Sequence, residues 1–314
     1  MRTIIAAALL AAGIATAHAA DGPTLGGIVF QQDQYFRGIQ LGMEAGAKQG
    51  GATLLQGNSE SKAEKEASLI ETFAARGAKA IVIAPISGKA SVRALQRAHD
   101  KGVTIVLYGT HLDADFPVSF VGTSDADIGA GTGKVANGFI KDKLGGQARV
   151  AILEFRSQLP EQSDMRTNGF LDSAKPGNDV KVVVRQDGFL AEKAVAVASD
   201  ILTAHPDVNL IYAANEGGTV GAVQAVRRAG KAGKVFVFGT DGSEQLANFL
   251  LDPDGVLIAT TAQQPVKVGQ DAVDTALAAI AGKPVEKSIM VPALPLARAD
   301  MAAVQSFLAS VKQP

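Results

Sequence analysis

The chain has 314 residues, 47% of them apolar and 19% charged, with a formal net charge of −1 and no cysteine. Such a balance excludes disordered and membrane-embedded chains, and near-neutral charge without basic blocks sets nucleic acid aside as a partner. The absence of thiols excludes disulfides, thiolate metal sites, a cysteine nucleophile and an N-terminal lipoprotein cysteine. The length exceeds one comfortable core, so two lobes are expected. At the start, Met1-Arg2 leads into an apolar run from Ile4 to Ala17 and the tripeptide Ala17-His18-Ala19. This pattern predicts a cleavable signal peptide over residues 1–19, cut before Ala20; the alternative is a membrane anchor, for which the run is short.

After Asp21, short β-branched runs alternate with longer helical segments. A first series of strands is predicted at Leu25 to Phe30, Ala80 to Ala84, Thr104 to Tyr108 and Val118 to Val121. A second covers Arg149 to Leu153, Val180 to Arg185, Leu210 to Ala214, Val235 to Gly239 and Leu257 to Thr261. Helices are predicted over Ser61 to Arg76, Ser87 to Lys101 and Glu192 to Ala204, with Ser or Thr caps at their starts and Gly77 and Gly102 after two of them. Continuous apolar strands separated by helices imply parallel sheets covered on both faces. Two series imply two doubly wound α/β sheets with right-handed crossovers.

Ligands of open α/β sheets sit beyond the carboxyl ends of the strands. The first strand runs into Gln31-Gln32-Asp33-Gln34-Tyr35-Phe36, ahead of a helix carrying Gly38, Gly42 and Gly46. Aromatic faces beside amides and a carboxylate suit a sugar ring with its hydroxyls, although Asp33 can equally cap the helix and Phe36 pack in the core. Later strands deliver Asn215-Glu216, then Thr240-Asp241-Gly242-Ser243, then Gln263-Gln264-Pro265. Each alone reads as a cap or turn; three apolar strands ending alike form a more specific signal.

Other motifs dissolve on inspection. Gly129-Ala130-Gly131-Thr132-Gly133-Lys134 has Ile128 and Val135 where a phosphate loop needs Gly and Ser or Thr, so its small residues are read as a close helix contact. Asp252-Pro253-Asp254-Gly255 lacks the remaining ligands of a calcium loop and reads as a turn. The histidines at 18, 99, 111 and 205 show no metal spacing, and no Gly-x-Ser-x-Gly elbow is present.

Taken in order, Tyr35-Phe36, Arg166-x-x-Gly169-Phe170, Ile201 to Val208, Asn215-Glu216 with Gly221-Ala222, Gly239 to Gly242 and Ala262-Gln263-Gln264-Pro265 carry a resemblance. The mature chain resembles the type I periplasmic sugar-binding proteins of ABC importers, in their ribose-binding branch. The resemblance implies two doubly wound parallel-sheet lobes on a three-strand hinge, crossed near Ser124-Asp125, Gln264-Pro265 and Ser288 to Pro292. The first lobe would hold residues 20–124 and 265–289. The second would hold 125–264 and 290–314, with a last helix from Arg298 to Val311.

It also implies a ligand set of Asp33, Tyr35, Phe36, Arg166, Phe189, Asn215, Asp241 and Gln263, with no cofactor, no metal and no catalysis. Arg166 alone could instead be a surface salt bridge. Where ribose binders present Asp-Arg after the fourth strand, this chain reads Gly109-Thr110-His111, which points away from ribose. Thr110 and His111 are further possible contacts. The implied partners are a small sugar or polyol and an inner-membrane ABC permease, or alternatively a chemoreceptor or sensor kinase. The implied state is a periplasmic monomer. A LacI-like repressor shares the fold but needs a helix-turn-helix where the leader stands.

Overall fold

The computed structural model describes residues 22–311, so the leader over residues 1–19 lies outside the described residues. The first half of the chain runs β1 (Thr24–Val29), α1 (Gln34–Gln49), β2 (Thr53–Asn58), α2 (Ala63–Ala75), β3 (Ala80–Ile83), α3 (Val92–His99), β4 (Thr104–Tyr108) and β5 (Ser119–Gly122). There follow α4 (Asp125–Lys143), β6 (Gln147–Glu154), α5 (Pro160–Ala174), β7 (Asp179–Asp187), α6 (Ala191–Ala204), β8 (Leu210–Ala213), α7 (Glu216–Arg228), β9 (Phe236–Phe238) and α8 (Glu244–Leu251). The chain ends with β10 (Leu257–Ala262), α9 (Pro265–Ile280), β11 (Ser288–Met290), β12 (Leu294–Ala297) and α10 (Met301–Val311).

Among the described residues, twelve strands form two six-stranded sheets, in the orders β11-β5-β4-β3-β1-β2 and β12-β10-β9-β8-β6-β7. All pairings are parallel except β10 with β12. The two-residue period of each strand divides its side chains between two cores. In β3, Ala80 and Val82 face α1 and α9, whereas Ile81 and Ile83 face α2 and α3. In β8, Ile211 and Ala213 face α6 and α7, whereas Leu210 and Tyr212 face α4 and α5. Each sheet is therefore the middle layer of three. The chain passes between sheets after β5, after β10 and after β11, whose Met290 still pairs with Gly122 of β5. Among the described residues no helix is long and apolar enough to cross a membrane.

Several expected boundaries move. The helices expected from Ser61 and Ser87 begin at Ala63 and Val92, and no serine side chain caps either; Lys62 and Ser91 hold the cap positions without a side-chain bond. Leu190 holds that position for α6, also without a bond. Ser61 Oγ instead donates to Phe30 O, and Ser87 Oγ accepts from Ala90 N–H. Side-chain caps occur at Asp33, Ser124, Asn215 and Ser243. Gly77 and Gly102 do end their helices, with φ of 83° and 84°, where a Cβ would be strained. Arg298 stays outside α10 because the extended β12 occupies 294–297.

Glycines set the closest helix pairs. A Cβ on Gly42 of α1 would overlap Val266 O of α9, and one on Gly269 would overlap Ile39 O. In the second lobe, a Cβ on Gly129 of α4 would overlap Arg166 O of α5, and one on Gly169 would overlap Ala126 O. The phosphate-loop-like string is thus a helix-packing surface, with Gly131 turned to Thr261 and Pro295. Gly138, on the same helix, has nothing near its Cβ position. Gly129→Ala should lower stability by roughly 1–3 kcal/mol through overpacking. Gly138→Ala should raise it by about 0.5–1 kcal/mol through helix propensity. Urea midpoints of the two variants check this; equal shifts would show that backbone contact is not what the glycine permits.

Candidate functional site

At the carboxyl ends of both sets of strands lies a cavity of about 580 Å³ walled by both lobes, a size usual for small-ligand sites. The first lobe contributes the turn from β1 into α1. Asp33 is the α1 N-cap, its Oδ1 accepting from Phe36 N–H at 3.0 Å. Phe36 packs in the core against Phe30 (4.4 Å between centroids), and Tyr35 stands edge-on to it at 5.2 Å. Cap and core roles coexist with cavity lining, since Asp33, Tyr35 and Phe36 all border the space.

The second lobe contributes a buried charge network. Arg166, 8% exposed, is no surface residue. Its Nε donates to Asp125 Oδ1 at 2.7 Å, its Nη1 donates to Ala214 O at 3.1 Å, and Asp241 Oδ2 stands 3.6 Å from Nη1. The guanidinium also lies 5.3 Å from the centre of the Phe155 ring. Asp241 occupies the left-handed region at φ 73°, a strained conformation that aspartate tolerates better than most residues. Its carboxylate takes a bond from Gln263 Nε2 at 2.7 Å and another from Glu216 N–H at 3.0 Å. Asn215 caps α7 by accepting from Gly218 N–H, and its amide donates to Phe189 O at 2.8 Å, holding the Phe189 loop against the cavity.

All eight residues expected at the site border this one cavity, as does Thr110. His111 does not; its ring stacks on Phe120 at 3.7 Å, because the turn after Gly109 carries it back over the first lobe. Gly109, at φ 64°, aims its carbonyl at the second lobe, where Gln162 Nε2 donates to it at 2.6 Å.

Several lining residues escape the strand-end reading. Gln162 and Arg166 stand four residues apart near the start of α5, a spacing that places them on one helix face, and Gln158 lines the cavity from the turn just before that helix. Asp125, taken from sequence only as a crossing point, is the closest counter-charge of Arg166. Glu216, named beside Asn215 in the strand-end reading but not in the ligand set, also borders the cavity. The signal for Asp125 was an acidic residue directly after a serine cap, which is ordinary at any helix start.

Comparison with known proteins gives one family and consistent relatives. Residues 28–284 match the model of the periplasmic binding protein domain. The ribose import binding protein of Bacillus subtilis (strain 168) is 30% identical over 82% of this chain and 81% of its own. The D-allose-binding periplasmic protein of Escherichia coli (strain K12) is 32% identical over 74% of this chain and 76% of its own. Among solved structures, an ABC transporter periplasmic solute binding protein from Actinobacillus succinogenes 130z with bound D-allose is 28% identical. It covers 89% of this chain and 99% of its own, with a TM-score of 0.79.

Burial dominates the electrostatics of the cavity. It raises the carboxyl groups of Asp33 and Asp125 above the usual range, with Arg166 pulling Asp125 back down. It pushes Glu216 from 4.5 up to about 7, helped by the charges of Asp241 and Asp33 and opposed by a bond from Ser243. Between those two values the folded chain holds a proton that the unfolded chain releases. The contribution of Glu216 to stability is therefore fully present below pH 4.5 and is lost as pH rises through about 7. Thermal melts of the ligand-free protein between about pH 5 and pH 8 should lose stability more steeply than those of Glu216→Gln. Superimposable pH profiles would show that Glu216 ionises as freely in the fold as outside it.

Proposed function

Because the chain belongs to the family of periplasmic binding proteins, we propose that it captures a small polyhydroxylated solute, a sugar or polyol, and delivers it to an ABC permease of the inner membrane. The observation that carries this reading is the cavity itself. It lies between two lobes, with Tyr35 and Phe36 on one wall, Phe155 and Phe189 on the other, and a buried guanidinium–carboxylate network beside them. Aromatic faces suit the C–H surface of a sugar ring, and ionised groups make the stronger hydrogen bonds to its hydroxyls. Relatives named for ribose and allose import support the same class of ligand. The secretory leader expected over residues 1–19 and the family together support a periplasmic address.

In this reading the lobes, divided near 124/125, 264/265 and 289/290, swing on the three crossing segments. Only the closed form touches the solute from both sides, so the solute shifts the population toward closure. Asp33, Tyr35, Phe36 and Thr110 would hold it from the first lobe, and Arg166, Phe189, Asn215 and Asp241 from the second, with Gln263 at a crossing. The internal bonds of Asp241 and Asn215 leave each of them one or two free positions, so their proposed contribution is as much to hold neighbours as to bind. Gly109-Thr110 supplies neither carboxylate nor guanidinium, which favours a ligand other than ribose.

A thermal-shift panel of pentoses, hexoses, deoxysugars and polyols tests the proposal. A ligand at 100 times its Kd should stabilise the protein by about 2.7 kcal/mol. Tyr35→Ala and Phe189→Ala should remove most of that shift. These side chains are preferable to Arg166, whose removal would leave Asp125 buried without its partner and cost about 3–5 kcal/mol of stability. Hits confined to amino acids or inorganic anions would overturn the sugar reading.

A further inference from the structure

The two lobes line the cavity with unequal chemistry. From the second lobe come Arg166 with its carboxylates and the amides of Gln158, Gln162, Asn215 and Gln245. In the first lobe, the charged and amide side chains that border the cavity are confined to the turn from β1 into α1, as Gln31, Asp33 and Gln34. The ends of β3 and β4 present carbon instead. Ile83 pairs with Leu107, so the next residues, Ala84 and Tyr108, stand side by side at the rim, with Ile86 and Gly109 after them. Ala90, just ahead of α3, also borders the cavity.

A separate observation is that most polar groups of this wall are already engaged within the lobe. Tyr108 Oη donates to Ile28 O at 2.9 Å, and Ser87 Oγ accepts from Ala90 N–H. The backbone donors are taken as well: Ile86 N–H by the Glu66 carboxylate, Gly109 N–H by Val121 O, and Thr110 N–H by Tyr108 O. Gly109 O already receives Gln162 Nε2 from the other lobe. A solute hydroxyl turned toward Ala84 and Ile86 would therefore exchange water for carbon, whereas a methyl or methylene group there would bury apolar surface at a gain.

Resting on the sugar-or-polyol reading above, we propose that the preferred solute is a deoxy sugar or deoxy polyol, its methyl or methylene group set against Ala84 and Ile86 and its hydroxyls turned toward the second lobe. The wall at the ends of β3 and β4 then selects by what it withholds. A solute with one more hydroxyl on that side fits the space but forfeits a hydrogen bond. The Arg166 network and the glutamine amides read the hydroxyls that are present, and the wall reads the one that is absent.

Isothermal titration with matched pairs tests this: D-fucose against D-galactose, L-rhamnose against L-mannose, 2-deoxy-D-ribose against D-ribose, and L-fucitol against galactitol. In at least one pair the deoxy member should bind about tenfold or more tightly than its parent, the worth of a hydroxyl buried without a partner. In Ala84→Ser/Ile86→Thr, which places hydroxyls on the wall, that preference should fall to about threefold or less. Ile86→Thr alone, which keeps the β-branch, makes the same test should the double variant not fold. A merely loosened wall would weaken both members of a pair alike, so the ratio is the readout. A tenfold ratio that persists in the variants overturns the assignment to this wall. Parents binding as tightly as their deoxy partners overturns the deoxy proposal and leaves the sugar reading standing. Binding by neither series, with the protein shown folded by its melt, overturns both.

Discussion

A guanidinium that lies within a protein interior must be neutralised, and much of the second lobe is arranged around that requirement for Arg166. Its two carboxylates arrive from different directions. Asp125 is the first residue of α4, delivered by the crossing from the first sheet, and Asp241 follows β9 in a left-handed conformation. Arg166 itself sits on α5, which can approach α4 closely because Gly129 and Gly169 leave room for the opposing backbone. Tyr212 Oη then donates to Arg166 O, and Thr240 Oγ1 donates to Ala213 O, so that the strand ends beneath the charge are pinned as well. A glycine on one helix, a strained aspartate on a loop and a hinge carboxylate are one electrostatic unit.

That unit also explains why the polar residues at the strand ends serve each other before any solute. Asp241 holds Gln263 and the backbone of Glu216, and Asn215 holds the Phe189 loop. Preorganisation of this kind reduces the ordering that binding would otherwise require. Further out, buried Glu66 of α2 does the same for the first lobe, accepting from Ile86 N–H at 2.8 Å and from Ser91 Oγ at 2.5 Å on either side of the cavity-lining Ser87.

Central strands were legible in the sequence because burial on both faces leaves a continuous apolar run, as in Ala80–Ile83 and Leu210–Ala213. The edge strands β2, β11 and β12 were not, whereas the edge strand β7 was, through its valine run. In β2, Thr53 and Gln56 are exposed, and in β11 Ser288 and Met290 are exposed, so neither shows a strand-like run. The strand-end reading gathered Asp33, Asn215, Asp241 and Gln263 because a parallel sheet places the residue after each strand at one rim. Gln162 lies on a helix face, and which face turns inward depends on how α5 packs against α4; Gln158 lies in the turn that leads into that helix. Serine caps misled for a related reason: Ser61 and Ser87 satisfy loop groups that only the folded chain brings within reach.

The bond from Gln162 to the carbonyl of Gly109 ties one lobe to the other without involving a solute. Under the proposed closure, a backbone acceptor is indifferent to what fills the cleft, so this bond would weight the shut state equally for every ligand. Observed affinity scales with the fraction of molecules already shut, whereas discrimination between ligands does not. In the proposed capture, position 162 would set through this bond how much solute is retained at a given concentration, and would bear on selectivity only where its side chain meets the solute.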